Sequence, residues 1–246
     1  MSRKISGHRF RISLLIFTLI LSAYLFMHSS IFKVERIEVQ GNDKVSREEA
    51  LALSGLDQGI NIFELDGDLS SKAIENHPMV KKAEIVRQLP RTLVIKITER
   101  QIWAVIPYRG VFLCIDDTGV CFDKLNNTLI NNYPIITMDL MPEYVNLGQA
   151  VNNQATDMVR QVWQAIPDGD RQKLSEFHYV NKENTLKIYT INGTEIRFGN
   201  LERLEEKGKT LTQVIQIEDN FKKQGKDVLE YIDMRFKGEP VVKTRI

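Results

Sequence analysis

Ile12 to Met27 read ISLLIFTLILSAYLFM, an apolar run without a single charge, and it limits the architecture more than any other stretch of the chain. The run can be carried through His28, Ser29 and Ser30 to Ile31 and Phe32. As a helix at about 1.5 Å per residue, some 20 residues cross about 30 Å of hydrocarbon. Arg3, Lys4, Arg9 and Arg11 precede the run and the first acid is Glu35, so the positive-inside rule places the N-terminus in the cytoplasm and the remainder outside. A cleaved signal peptide shares the basic start and apolar middle. Its apolar region is usually about 7–15 residues with an A-x-A-like site after it, and this run is longer and has no such site. A retained anchor is therefore expected, with a basic cytoplasmic tail at 1–11 and a transmembrane helix at 12–32.

Beyond the run the period changes. Ile37 and Val39 alternate with Arg36, Glu38 and Gln40 as a half-buried strand should, and Gly41-Asn42-Asp43 breaks it. Ser46 with Glu49 forms a capping box for a helix through Ala50, Leu51, Leu53 and Leu56. A second short helix starts near Asp66 or Asp68 and is stopped by Pro78, with Leu69 and Ile74 as its packed face. Two strands follow, Ala83, Ile85 and Val86 meeting Leu93, Ile95 and Ile97 across a Leu89-Pro90 joint. Pro90 cannot donate to a ladder and belongs in the turn. Glu99 and Arg100 end the second strand, as a solvated or salt-bridged strand end.

This order, with VERIEVQG, GINIFELD and IVRQLPRTLVIKITER, resembles the POTRA module of the bacterial cell-division proteins FtsQ and DivIB. FLCIDDTGVCF, YPIIT and YIDMRFKGEPVVK are similar to the β domain of the same family. The resemblance implies an α+β fold in which the transmembrane helix leads into a POTRA domain at 33–102, strand-helix-helix-strand-strand. A mixed β domain with two helices follows at 103–246.

The residues of the second domain agree with that expectation. VFLCIDDTGVCF reads as strand, turn, strand, with Gly119 free to take positive φ. Ala155, Met158, Val159, Val162, Trp163 and Ile166 recur at helical spacing up to Pro167, as a core face. Asn192-Gly193 between LKIYTI and TEIRFG is the strongest hairpin signal. A last amphipathic helix from Leu201 to about Ile217 carries Leu204, Leu211, Val214 and Ile215, before the strands VLEYIDMRF and EPVVKTRI. NNT at 126–128 and NGT at 192–194 fit a glycosylation sequon and read as turns.

Composition and motifs argue against chemistry. The net charge is only +1, and beyond the basic tail 29 basic residues face 32 acids, which gives nucleic acid no field to find. His8, His28, His77 and His178 lack metal-ligand spacing, and no phosphate loop or nucleophile elbow is present. Asp116-Asp117 closes a turn by local hydrogen bonding. Cys114 and Cys121 face each other in one register of that hairpin, permitting a cross-strand disulfide in an exported domain, and remain two thiols if the register shifts by one residue. No enzyme activity, cofactor or small-molecule substrate is expected.

The resemblance implies a divisome scaffold in the inner membrane at the septum, with the bulk of the chain periplasmic. It would link early and late division proteins, bind FtsB and FtsL, and through them influence FtsW and FtsI in septal peptidoglycan synthesis. It places Tyr231, Asp233, Arg235 and Phe236 on the docking segment and Val241, Val242 and Lys243 on the sheet edge. There Phe236 would be an apolar anchor and Arg235 a bidentate partner for a carboxylate. Two other readings are a POTRA chaperone for outer-membrane assembly or secretion, and a membrane-anchored envelope enzyme using the aspartates or cysteines.

Overall fold

The computed structural model describes residues 4–126, 133–225 and 229–245, and the NNT sequence extends outside them. The chain divides into two compact units, Met1–Glu99 and Arg100–Ile246.

The first unit begins with α1 (Lys4–Met27). Between His8 and Met27 no residue is buried by protein. Twenty such residues exposed to water would oppose folding, so hydrocarbon is the environment that suits this helix, and it serves as a membrane anchor. The helix stops at Met27, short of the expected Phe32, and Ser30–Phe32 form a 3-10 turn. The reason is a tertiary cap, because the Asn61 amide donates to the Met27 carbonyl at 2.8 Å and takes up one of the helix's terminal acceptors.

After the anchor come β1 (Arg36–Gln40), α2 (Arg47–Ser54), α3 (Gly67–Glu75), β2 (Val80–Gln88) and β3 (Thr92–Glu99). The sheet order is β1-β3-β2. β1 runs parallel to β3, so both helices lie in the crossover, and β2 and β3 form the antiparallel hairpin around Pro90. Ser46 caps α2 by accepting from the Glu49 amide, and Asp66 caps α3 through the amides of Asp68 and Leu69. Ala83, Leu93, Ile95 and Ile97 join Ile37, Ala50, Leu56 and Ile74 in one core.

Leu69 does not belong to that core. It is 67% exposed, whereas Ile74 is fully buried. The start at Asp66 rotates Leu69 in the first turn of α3 away from the sheet. Leu69→Glu is accordingly expected to change stability by less than about 0.5 kcal/mol, while Ile74→Ala costs about 2–5 kcal/mol. Denaturant titration of the two variants, followed by circular dichroism, checks the contrast.

Glu99 also departs from expectation. It is buried, and its carboxylate accepts the backbone N–H groups of Asp43, Lys44 and Val45 at 2.8 Å each. Gly41, at φ +79, makes this approach possible, because a Cβ there would stand 2.2 Å from the Ile97 carbonyl oxygen.

The described residues of the second unit form a ten-stranded mixed sheet. One half is a meander of β4 (Ala104–Tyr108), β5 (Val111–Ile115) and β6 (Val120–Leu125), edged by the short β8 (Gln149–Ala150). β7 (Ile135–Met138) runs parallel to both β4 and β9 (Leu174–Val180). The crossover from β7 to β9 carries α4 (Asn153–Ala165) and the single turn α5 (Asp168–Arg171). β10 (Thr185–Thr190) and β11 (Glu195–Gly199) continue antiparallel, and α6 (Leu204–Lys223) crosses over to the parallel β12 (Leu229–Asp233). β13 (Val241–Thr244) returns antiparallel as the last strand.

The predicted helix faces form the core. Ala155, Met158, Val159 and Val162 of α4 and Leu211, Val214 and Ile215 of α6 bury against Phe177, Ile188, Ile196 and Phe198 of the sheet. Gly119 adopts φ +83, and a Cβ there would lie 2.8 Å from the Thr156 hydroxyl on α4. The Asn192-Gly193 turn is tied to α6, because the hydroxyls of Thr190 and Thr194 both donate to buried Glu218.

Candidate functional site

β13 ends the sheet, and on its outer side no strand pairs with it among the described residues. Its inner side meets β12 through Tyr231↔Lys243, Ile232↔Val242 and Asp233↔Val241. Val241 and Val242 are 55% and 51% exposed. An unpaired edge carrying two exposed valines is unusual in a soluble sheet, which ordinarily blunts such a strand with charge, proline or a bulge. Pro240 stands just before the strand and Lys243 within it, so the guard is partial.

Beside this edge lies a cleft of about 540 Å³ between α6 and the β12–β13 hairpin. Val214, Ile217, Ile232, Pro240 and Val242 line it, with Glu206 and Glu239 also present. Ile217 and Val242 are exposed as well as apolar, so the cleft and the edge form one continuous surface.

The turn leaving β12 is held by two arginines. Arg235 reaches back to Asp233 with a two-pronged contact, Nε to Oδ1 at 3.0 Å and Nη2 to Oδ2 at 2.7 Å. Those bonds hold the Asp233 carboxyl below the usual carboxylate range, against the upward push of burial. The Arg203 guanidinium donates to the carbonyls of Met234, Arg235 and Phe236. Phe236 projects outward beneath the Arg235 guanidinium, whose carbon lies 5.6 Å from the ring centroid.

The expected site residues therefore divide into groups. Phe236, Val241 and Val242 are exposed and can meet a partner. Tyr231 and Lys243 are neighbours across the strand pair, where Arg197 stacks on the Tyr231 ring at 3.8 Å and Lys243 lies 5.6 Å from its centroid. Asp233 is buried, and the Arg235 fork that was expected to meet a partner's carboxylate is engaged with it in this structure. Arg197, Arg203 and Ile217 belong to the neighbourhood without any local signal, since their contacts come from other elements.

The remaining candidates have structural tasks. Cys114 pairs with Asp123, and Cys121 pairs with Ile115 across an irregularity in the ladder. That shift separates the cysteines in register, and both are buried thiols, which corrects the disulfide alternative. Burial pushes the Cys121 thiol up, away from nucleophilic character. Asp116 is buried and accepts from the Thr118 amide and hydroxyl, the Val120 amide and the Arg100 guanidinium. His178 lies 2.9 Å from Asp139 and 2.7 Å from the Thr137 hydroxyl, a sequence of contacts that resembles a nucleophile with its base. However, the Thr137 hydroxyl donates its hydrogen bond to the Glu176 carboxylate, so it is not directed at the imidazole. No group of three or more metal-ligating side chains occurs among the described residues.

Anchor, strand-helix-helix-strand-strand module and open-edged second sheet together define a membrane-anchored POTRA protein whose outermost strand is available for pairing. Residues 32–100 match the POTRA domain, FtsQ-type, and residues 104–235 match the C-terminal domain of cell division protein FtsQ/DivIB. The chain belongs to the FtsQ/DivIB family of cell-division proteins. It is 38% identical over 109 residues to cell division protein FtsQ of Syntrophotalea carbinolica, covering 44% of this chain and 38% of that protein. It is 28% identical over 226 residues to cell division protein DivIB of Bacillus subtilis, covering 89% and 81%. With DivIB of Staphylococcus aureus it shares 24% over 195 residues, 78% of this chain but 42% of that longer protein. A solved extracytoplasmic domain of DivIB from Geobacillus stearothermophilus aligns with 15% identity and a TM-score of 0.33, covering 51% of this chain and 97% of that one.

Proposed function

We propose that this protein is a non-enzymatic divisome scaffold that receives an extended segment of FtsB on the outer side of β13, with FtsL bound alongside. Its N-terminus lies in the cytoplasm and its two units on the far side of the inner membrane, at the septum. Through FtsB and FtsL it links early to late division proteins and influences peptidoglycan synthesis by FtsW and FtsI. The observation that carries this reading is the unpaired β13 edge, with Val241 and Val242 exposed beside the apolar cleft under α6. Added-strand pairing supplies backbone hydrogen bonds along such an edge, and pockets beside it select side chains. Phe236, which is exposed, contacts the incoming segment in this reading.

The test uses Phe236→Ala combined with Val241→Glu, leaving Arg235 in place because it holds buried Asp233. Both altered side chains are exposed, so the fold should survive. Co-purification of FtsB with the full-length variant is expected to weaken by about 2 kcal/mol or more, some thirtyfold. Undiminished binding by a variant with native circular dichroism would remove the edge assignment.

A further inference from the structure

We propose that the first unit is seated directly on the lipid surface, with the loop at 59–64 and the tip of the β2–β3 hairpin lying in the headgroup layer. This rests on α1 spanning the bilayer, as the proposed function also does.

The end of α1 is built into the POTRA module. Asn61 donates to the Met27 carbonyl at 2.8 Å and, through its other side-chain atom, accepts from the Phe63 amide at 2.9 Å. The His28 imidazole lies 3.4 Å from the Glu64 carboxylate. Phe26, Phe32 and Phe63 stack edge to face, at 5.2 and 5.0 Å between centroids. Backbone bonds extend the joint, from Ile62 N–H to the Phe32 carbonyl and from Val34 N–H to the Ile60 carbonyl, both 2.9 Å. Arg91, next to the hairpin tip, donates to the Ile31 carbonyl at 3.0 Å.

These contacts hold residues 60–64 level with the last turn of the spanning helix, where hydrocarbon gives way to headgroups. The side chains left open at that level are apolar. Ile31, Ile60, Phe63 and Leu89 are all exposed, Leu89 by 58%. Of the nearby carboxylates, Glu35 is paired with the Arg91 guanidinium and Glu64 faces the His28 imidazole. Aromatic and apolar side chains at this depth are stabilised by the bilayer interface and would be an unguarded patch in water. The opposite end of the module differs, since Gln40 pairs with Lys96 far from the hairpin tip and leads into exposed Asp43.

Tryptophan quenching by brominated lipid reads this geometry. The full chain is placed in nanodiscs of phosphatidylethanolamine and phosphatidylglycerol whose acyl chains carry no bromine, bromine near the headgroup end to read positions 60, 63 and 43, or bromine near the terminal methyl end to read position 17. Emission is compared with that of the parent chain, which contributes Trp103 and Trp163. Phe63→Trp and Ile60→Trp are independent reporters of the seat, so loss of one variant through misfolding leaves the other. Phe17→Trp reports the span and Asp43→Trp the far end. Bromination is expected to remove at least about half of the added emission at positions 60, 63 and 17 and little at 43, as interfacial and buried indoles differ from a solvated one. Quenching at 17 with positions 60 and 63 behaving like 43 would overturn the seat and leave the anchor standing. No quenching at 17 would overturn the anchor, and the seat with it.

Discussion

Glu99→Ala should remove about 3–5 kcal/mol from the stability of the first unit, the range for deleting one partner of a buried charged contact. Three backbone N–H groups point at one carboxylate, and alanine leaves all three without their acceptor. The lost energy follows from that asymmetry, because a buried donor left unmade costs its full desolvation. Amide exchange of residues 43–45 in the full chain is the direct measurement, and a loss of 3 kcal/mol would speed exchange by more than about a hundredfold where it follows unfolding of the unit. Exchange within about threefold of the parent would show that the carboxylate is not what holds the 43–45 segment.

The same group makes the unit sensitive to acid. Burial pushes the Glu99 carboxyl up, but the amides of Val45, Asp43 and Lys44 outweigh it and hold the group below its ordinary 4.5. A carboxyl with a depressed folded-state pKa stabilises fully above its unfolded value. That stabilisation is lost as pH falls through the lower folded value. The protection of residues 43–45, measured against the intrinsic exchange rate at each pH, should therefore fall below about pH 4.5 in the parent and lose this dependence in Glu99→Ala.

Asp116→Ala should have a comparable effect on the second unit, about 3–5 kcal/mol. It removes the acceptor for Thr118, Val120 and Arg100 and leaves the Arg100 guanidinium, itself largely buried, without this carboxylate. Burial raises the Asp116 carboxyl, yet these partners hold it below its ordinary 3.8, so its contribution too is complete above that value and lost in stronger acid. Urea titration of the full chain in detergent micelles, followed by emission from Trp103 and Trp163 in the same unit, reads the loss. An unchanged midpoint would contradict the role assigned to this carboxylate. Changing Asp116 and Asp117 together to asparagine cannot separate an enzyme from a scaffold, because the Asp116 change weakens the fold in either case. Asp117→Asn tests a catalytic role of Asp117 without that loss, since Asp117 is exposed in the turn.

The first elements to emerge from residue order were those whose partners lie within a few positions. Ser46 finds its amide three residues on, Gly119 sits within the turn it closes, and the α4 stripe repeats with the helical period. The order of elements followed from these, and the family from the resemblance of strings such as IVRQLPRTLVIKITER and YIDMRFKGEPVVK. The candidate edge was legible to the same extent, because EPVVKT reads as a strand after a turn. Its chemistry was less so. Tyr231, Asp233, Arg235 and Phe236 occupy neighbouring positions, yet alternation and the turn after β12 send Asp233 inward, Phe236 outward and Arg235 back onto Asp233.

Apolar periodicity, caps and turn residues were enough to specify an anchor, a strand-helix-helix-strand-strand module and a mixed sheet with helices, since each acts over one or two turns of backbone. The duties of Glu99, Asn61 and the two cysteines came from packing. Glu99 and Asp43 are separated by 56 residues, Asn61 and Met27 by 34, and the β5–β6 shift depends on how one irregularity in the ladder falls. A polar side chain at a strand end has the same local pattern whether it meets water or buried N–H groups. The difference arises only when the folded chain brings those groups to it and excludes the solvent.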